Sequence, residues 1–273
     1  MLLGCPAEEA LGGALASASP DLLEVAGAEA SSPAVWPQRT PDEVPWPGQD
    51  TTARRVSVYL DAGHGAADNS GNSSCFCVRE QDFTYALADD VAATLEESGR
   101  FWVVGSRAGD QLVAYGARVD EAAKLQADVF VSLHSDVRGK KEAWSPEPAV
   151  TCQRATDAPG FSVLYSDEGE APLVSGRLAL AERVAADMIE AGFLPYGGAE
   201  YAGLYEGARQ PGVFVDRHEP KKRIFVLRRP RMPSIIVETH NALDPREAER
   251  WEDASVRRAF AVALGRAILQ VVR

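Results

Sequence analysis

No stretch of this 273-residue chain strings together the roughly 18 apolar residues that a membrane-spanning helix needs. No intact signal peptide is visible either. Positive charge is in short supply: 28 Lys and Arg stand against 40 Asp and Glu, for a net charge of −12 and a pI near 4.9. A surface built for nucleic acid is normally basic, so this balance argues against such a partner, and the run Lys221-Lys222-Arg223 is too short to reverse it. Cysteine is scarce, four in all, and none lies in a motif with a nearby base, which leaves a cysteine nucleophile without support. No repeat recurs at the roughly 20–50-residue periods of solenoids and propellers.

What is present suits a globular domain with a tail: 45% of residues are hydrophobic and 25% charged. Residues 6–52 are rich in Ala, Ser, Pro, Glu and Asp and carry no sustained helical or strand period. Eight acids there face Arg39 alone, a net of −7, which leaves 32 acids and 27 bases, or −5, for the rest. Residues 1–52 therefore read as a flexible, disordered acidic tail and 53–273 as one catalytic domain. Leu2-Leu3-Gly4-Cys5 has the form of a lipobox, in which the Cys becomes the acylated first residue of a lipoprotein. The expectation is a start upstream of Met1 and a lipid anchor at Cys5; the alternative is a chance cysteine near an arbitrary start.

From Arg55 onward β-rich apolar runs alternate with helical periods. The runs are Val56–Leu60, Phe101–Val104, Val129–Leu133, Phe161–Tyr165, Ile224–Leu227 and Ser234–Val237. Helical spacing marks Phe83 to Leu95, Leu112 to Val119, Leu178 to Ile189 with Gly192 as its stop, and Val256 to Val271. This alternation predicts an α/β domain: a mostly parallel twisted sheet of about six strands flanked by helices, with its site at the strands' carboxyl ends. Three irregular regions interrupt it: 66–79 with Cys75 and Cys77, 137–159 with Cys152, and 192–222 with Tyr196, Tyr201 and Tyr205. The tyrosines either line a substrate groove or pack their loop down.

Val56-Ser-Val-Tyr-Leu-Asp-Ala-Gly-His64-Gly65 reads as a buried strand that delivers a histidine to the sheet edge, between glycines that admit close backbone approach. Asp61 is near enough to orient a ring nitrogen of that histidine. His134 ends a second apolar run, and Glu80 opens a helix. Two histidines and a carboxylate are the donor types of an open zinc site, although each has a structural alternative: a turn histidine, a hydrogen-bonded strand-end histidine, an acid at a helix N-terminus. Glu238 ends the apolar strand Pro233-Ser-Ile-Ile-Val-Glu238, which suits a proton shuttle beside a metal or a buried acid paired with Arg228 or Arg231.

Taken in order, Leu60-Asp-Ala-Gly-His-Gly65, Glu80-Gln-Asp-Phe83, Ser106-Arg107-Ala-Gly-Asp110 with Arg118, Ala127-Asp128-Val-Phe-Val-Ser-Leu-His134-Ser, and Pro233-Ser-Ile-Ile-Val-Glu238 resemble the zinc-dependent N-acetylmuramoyl-L-alanine amidases, the third amidase family of cell-wall hydrolases. The resemblance runs from about Arg55 to the C-terminus. It implies His64, Glu80 and His134 as metal ligands, Zn2+ as cofactor, Glu238 as the catalytic glutamate and peptidoglycan as substrate. It also implies a cell-envelope location, periplasmic or extracellular, and leaves open an activator protein. Two departures stand out: Asp136 where the family usually has Asn, and Thr239-His240 where it usually has Gly-Phe. His240 either lines the pocket and helps stabilise the oxyanion or caps the strand; His218 has no family counterpart and reads as a loop residue. The resemblance and the lipobox together imply an oxidising compartment, in which Cys75 or Cys77 pairs with Cys152. Rival readings are another zinc amidohydrolase or carboxypeptidase, which commonly places its first His and Glu three residues apart rather than sixteen, and a wall-binding module without activity.

Overall fold

In the computed structural model, residue 46 and residues 54–272 are described; the tail and Cys5 otherwise lie outside them. The chain runs β1 (Val56–Ala62), α1 (Glu80–Glu97), β2 (Phe101–Gly105), α2 (Tyr115–Lys124), β3 (Val129–Asp136), β4 (Glu142–Trp144), β5 (Cys152–Arg154), β6 (Ser162–Tyr165), α3 (Ala171–Glu190), β7 (Tyr205–Gly207), β8 (Val213–Asp216), α4 (Phe225–Arg228), β9 (Ser234–Asn241), α5 (Pro245–Trp251) and α6 (Ala254–Val271). Seven strands form the central sheet in the order β2-β1-β3-β9-β6-β8-β7, and β4 and β5 make a separate hairpin. The sheet is mixed. β2, β1, β3 and β9 are parallel; β6 turns antiparallel to β9, β8 follows β6 in parallel, and β7 is antiparallel to β8.

Alternation along the strands sorts residues onto two faces. One carries Val58, Leu60, Val131, Leu133, Ile235 and Val237 against Leu87 and Val91 of α1, Val184 and Met188 of α3, and Phe260 and Leu264 of α6. The other carries Tyr59, Phe130, Ile236, Leu164 and Phe214 against Val119 of α2 and Leu227 of α4. Continuing the second set by twos toward the parallel strands' carboxyl ends gives Asp61, Ser132, His134 and Glu238. The site thus occupies the rim of the less heavily covered face.

The expected strand at Ile224–Leu227 is instead the single turn α4. Its neighbours Val226 and Leu227 are both buried in the same cluster, which a helical turn permits and an alternating strand does not. The sixth and seventh strands of the sheet come from 192–222, where β7 and β8 are only three and four residues long. Leu112 precedes α2 and is exposed. Trp46, in the stretch read as tail, packs at 6.0 Å from the Phe101 ring and fills the space left by Gly265 of α6, where a Cβ would lie 2.5 Å from the indole.

Cys77 is bonded to Cys152, and Cys75 is a buried free thiol. This bridge fastens the loop between β1 and α1 to the β4–β5 hairpin, where the Phe76 and Trp144 rings also meet at 5.8 Å. No helix among the described residues is long and apolar enough to cross a membrane.

Candidate metal centre

His64, Glu80 and His134 offer donor atoms that all lie within 4.8 Å of one another. Glu80 Oε2 is 3.0 Å from His64 Nε2, and its Oε1 is 3.1 Å from His134 Nδ1. Three elements converge to make this: His64 just past β1, Glu80 on the first residue of α1, and His134 on β3. The backbone is shaped for it. A Cβ on Gly63 would come within 2.5 Å of the His134 ring, and one on Gly71 would sit 2.5 Å from Glu80 Oε2. His64 itself holds a left-handed φ of 60°, a conformation a non-glycine residue keeps only where its surroundings enforce it.

The hydrogen bonds decide which ring nitrogens are free. Asn69 Oδ1 accepts from the backbone N–H of Gly71, so the amide oxygen faces that way, and His64 Nδ1, 2.8 Å from the same oxygen, carries a proton. Its Nε2 lone pair points to Glu80. Ser132 donates to Asp61 Oδ2 at 2.6 Å, so its oxygen accepts from His134 Nε2 at 3.1 Å, and the Nδ1 lone pair is the free one. Asp61 is anchored in turn by buried Arg118, whose Nη1 lies 2.8 Å from Oδ1. Both imidazoles therefore aim lone pairs at one carboxylate, a donor set that fits a zinc-type cation, with the outer hydrogen bonds that typically fix such ligands.

Glu80 is buried and accepts the N–H groups of Asn72 and Ser135 at 3.0 Å each. Burial works to raise its pKa; wherever the two imidazoles carry a second proton, the hydrogen bonds and charges of His134 and His64 outweigh burial and hold the carboxyl well below the usual range. Glu238 is the contrasting acid. Its Cα is paired with that of His134 across β3 and β9, and its Oε2 is buried with no hydrogen-bond partner among the described residues. Burial, then the charges of Asp136 and Glu80, push its carboxyl well above the ordinary value, with Arg138 opposing. The alternative in which Glu238 pairs with Arg228 is not the arrangement found; Arg228 lies 4.0 Å from Glu168.

One expectation is corrected and one open choice is narrowed. Asp61 orients His134 through Ser132 rather than His64, whose partner is Asn69. His240 does not line the Glu238 side: β9 shifts register between His134 and Asp136, which turns the ring toward Phe83 and Trp251 at 5.0 and 5.6 Å, in the other core cluster. Asn69, Asn72 and Ser132 went unread as supporting residues, although Asn69-Ser-Gly71-Asn72 is a turn signal beside the first histidine. Asp136 accepts a 2.6 Å hydrogen bond from Tyr201.

A family model described as N-acetylmuramoyl-L-alanine amidase matches residues 58–270. N-acetylmuramoyl-L-alanine amidase AmiC of Escherichia coli is 24% identical over 229 residues, which are 81% of this chain and 54% of that protein. The chain thus spans about half the length of that curated relative. Among solved structures, N-acetylmuramoyl-L-alanine amidase AmiC2 of Nostoc punctiforme is 26% identical with a TM-score of 0.55, over 82% of this chain and 98% of that one. Ami1 of Mycobacterium smegmatis, 23% identical with a TM-score of 0.61 over 80% and 97%, shares the fold. With its central sheet and its site region inside the matched span, the chain belongs to the N-acetylmuramoyl-L-alanine amidase family.

Proposed function

We propose that this chain hydrolyses the amide between the lactyl group of N-acetylmuramic acid and L-alanine in peptidoglycan, using one zinc ion held by His64, Glu80 and His134, in the cell envelope. The observation that carries this reading is the pairing of two oppositely tuned carboxylates: Glu80 fixed between two histidines, and Glu238 beside His134 with Oε2 unpartnered. Zinc bound there would polarise the scissile carbonyl and lower the pKa of water toward about 7. Glu238 takes the proton of the attacking water at Oε2 and returns it to the nitrogen of the departing L-alanine. Burial favours the protonated carboxyl and so helps it hold the proton until the amine leaves, while a cation at the histidines would favour the ionised form that first accepts it. His64 and His134 cannot rotate without giving up Asn69 and Ser132, so the reacting groups stay near attack distance.

The test is digestion of purified sacculi with mass spectrometry of the products, alongside metal analysis. Free stem peptides and near-stoichiometric zinc are expected. Glu238→Gln is expected to keep zinc and fold while losing about 10²–10⁴ in rate. A loss below about tenfold moves the proton role to another residue, and His134→Ala with unchanged zinc content would refute the ligand set.

A further inference from the structure

A row of aromatic rings leads away from Glu238 across the sheet. Tyr201 is its near end: the hydroxyl is bonded to Asp136 Oδ2 at 2.6 Å and to Ser162 Oγ at 2.7 Å, and the Ser162 Cα is paired with that of Glu238. The Tyr205 ring centroid lies 4.6 Å from that of Tyr201, and the His218 ring 5.2 Å from Tyr205. Tyr201 is buried, so it packs the row in place. Tyr205 is part-exposed, and 22% of the His218 side chain is open. Burial and then the charge of Glu238 raise the Tyr205 phenol.

Each of the two outer side chains keeps a polar atom unspent. The Tyr205 hydroxyl makes no hydrogen bond among the described residues. His218 Nδ1 is 2.8 Å from Oδ1 of Asp216, a wholly buried carboxylate that also accepts the backbone N–H groups of His218 and Ile224 at 2.9 and 2.8 Å. A carboxylate in that position offers only acceptors, so Nδ1 carries the proton and Nε2 is left as a lone pair in the neutral ring. The imidazole is thereby fixed before any ligand arrives, which lowers the ordering cost of binding.

The surrounding charges select the ligand. A carboxylate of the stem peptide would be drawn to a free cation, and the two arginines that follow Asp216 on either side of His218 are committed. Arg217 is 2.6 Å from Asp167 and 2.6 Å from Glu206, while Arg223 meets Asp167 and the carbonyls of His218 and Asp216. What the two side chains leave uncommitted is a phenol hydroxyl, an imidazole nitrogen and two ring surfaces. That set matches the hydroxyl and N-acetyl groups of amino sugars, whose apolar faces pack on aromatic rings. We propose that Tyr205 and His218 form a subsite for the glycan strand that carries the scissile amide, a specificity-determining site that rests on the amidase reading.

The experiment is a calorimetric or NMR titration of the full chain with a peptide-free tetrasaccharide of alternating N-acetylglucosamine and N-acetylmuramic acid. It needs no hydrolysis, so it is decided separately from the amidase activity. Saturable binding by the wild type is expected, weakened roughly fivefold by Tyr205→Phe, which keeps the ring and removes the hydroxyl. His218→Asn is expected to weaken it by a similar factor, since an amide can still donate to Asp216 but offers nothing at the Nε2 position. Absence of binding by the wild type would overturn the subsite, as would unchanged affinity in both variants. A free stem tetrapeptide that binds with Tyr205-dependent affinity while the glycan does not would overturn it too, by giving the row to the peptide.

Discussion

On the two sides of β9 the sheet treats its polar residues differently. In the parallel half, Arg118, Asp61, Ser132 and His134 form a closed line of hydrogen bonds in which the first three are buried. In the antiparallel half the strands are short, and Tyr205 and His218 come from β7 and a loop with polar atoms left over. A metal ligand must not move, so its supports are satisfied and enclosed; a surface that meets a polymer must keep unspent donors and acceptors. The contrast is testable by breaking one half at a time.

The largest effect is expected from Arg118→Met. Arg118 also holds the carbonyls of Ala62, His64 and Val113, and its loss leaves Asp61 as an uncompensated buried charge. Breaking one partner of such a pair costs about 3–5 kcal/mol, and a lost outer support typically weakens metal binding about 10–100-fold. Denaturant melts and zinc titration would read both. The matching change in the other half, Tyr205→Phe, is expected to shift stability by less than about 0.5 kcal/mol. Equal losses from the two variants would erase the distinction.

Next in size is the bridge between Cys77 and Cys152, which spans a sequence separation of 75 with Cα atoms 5.6 Å apart. Closing a loop of that length stabilises a fold by about 4.5 kcal/mol on chain-entropy grounds. Reduction is expected to lower the melting temperature and to loosen the segment that carries Asn69 and Asn72. Within the span 54–272, thiol titration of unfolded, unreduced protein is expected to find Cys75 alone.

Glu247 joins the halves: its carboxylate accepts the backbone N–H of Asn241 on β9 at 2.9 Å and of Gly160 before β6 at 3.0 Å. Burial pushes it up to about 7, against the pull of those hydrogen bonds. The folded carboxyl therefore binds protons more tightly than the unfolded one. The contribution of this group to stability falls as pH rises from about 4.5 to about 7 and is level outside that window, by at most about 3 kcal/mol. Glu247→Gln is expected to flatten this slope in melts across pH 5 to 8, and an unchanged slope would assign it to other groups.

The parallel half was legible because its chemistry is local: an apolar run stops at a polar residue, and the next element begins a few residues on. His64, His134 and Glu238 end such runs, and Glu80 opens the helix that follows the first. The partnership of the supports was not legible, since Asp61 on β1 and Arg118 on α2 lie 57 residues apart and meet only once α2 packs over the sheet. Nor was β8, whose four residues sit between Pro211-Gly212 and a charged run and look like loop. The turn at Phe225–Arg228 was misread because four apolar residues fit either period, and tertiary burial chose.

The smallest expected effect is that of His240→Phe, and it tests the boundary between the halves. Two residues of β9, Thr239 and His240, lie opposite Ser135 alone, because the pairing passes from His134 with Glu238 to Asp136 with Asn241. That extra residue carries His240 off the Glu238 side. Thr239 donates to the His134 carbonyl at 2.8 Å, so His240 Nδ1 donates to Thr239 at 3.0 Å, and the ring stacks on Trp251 at an interplanar angle of 16°. Burial and then Arg138 push its pKa down to about 3, leaving it neutral at working pH. A ring so placed acts as core, and replacing it with phenyl trades one hydrogen bond for apolar contact. The net change is expected within about 1 kcal/mol near pH 7, with kcat/KM within about twofold. An oxyanion donor would instead lose about 10²–10³ in kcat. Acid separates the roles further. Below about pH 6.5 the unfolded chain protonates this histidine while the folded one does not, so the wild type loses stability as pH falls and the variant is spared that loss. Steady-state kinetics together with melts at pH 5 and 7 would decide, and a hundredfold loss of kcat with no pH-dependent gain in stability would return His240 to the reacting centre.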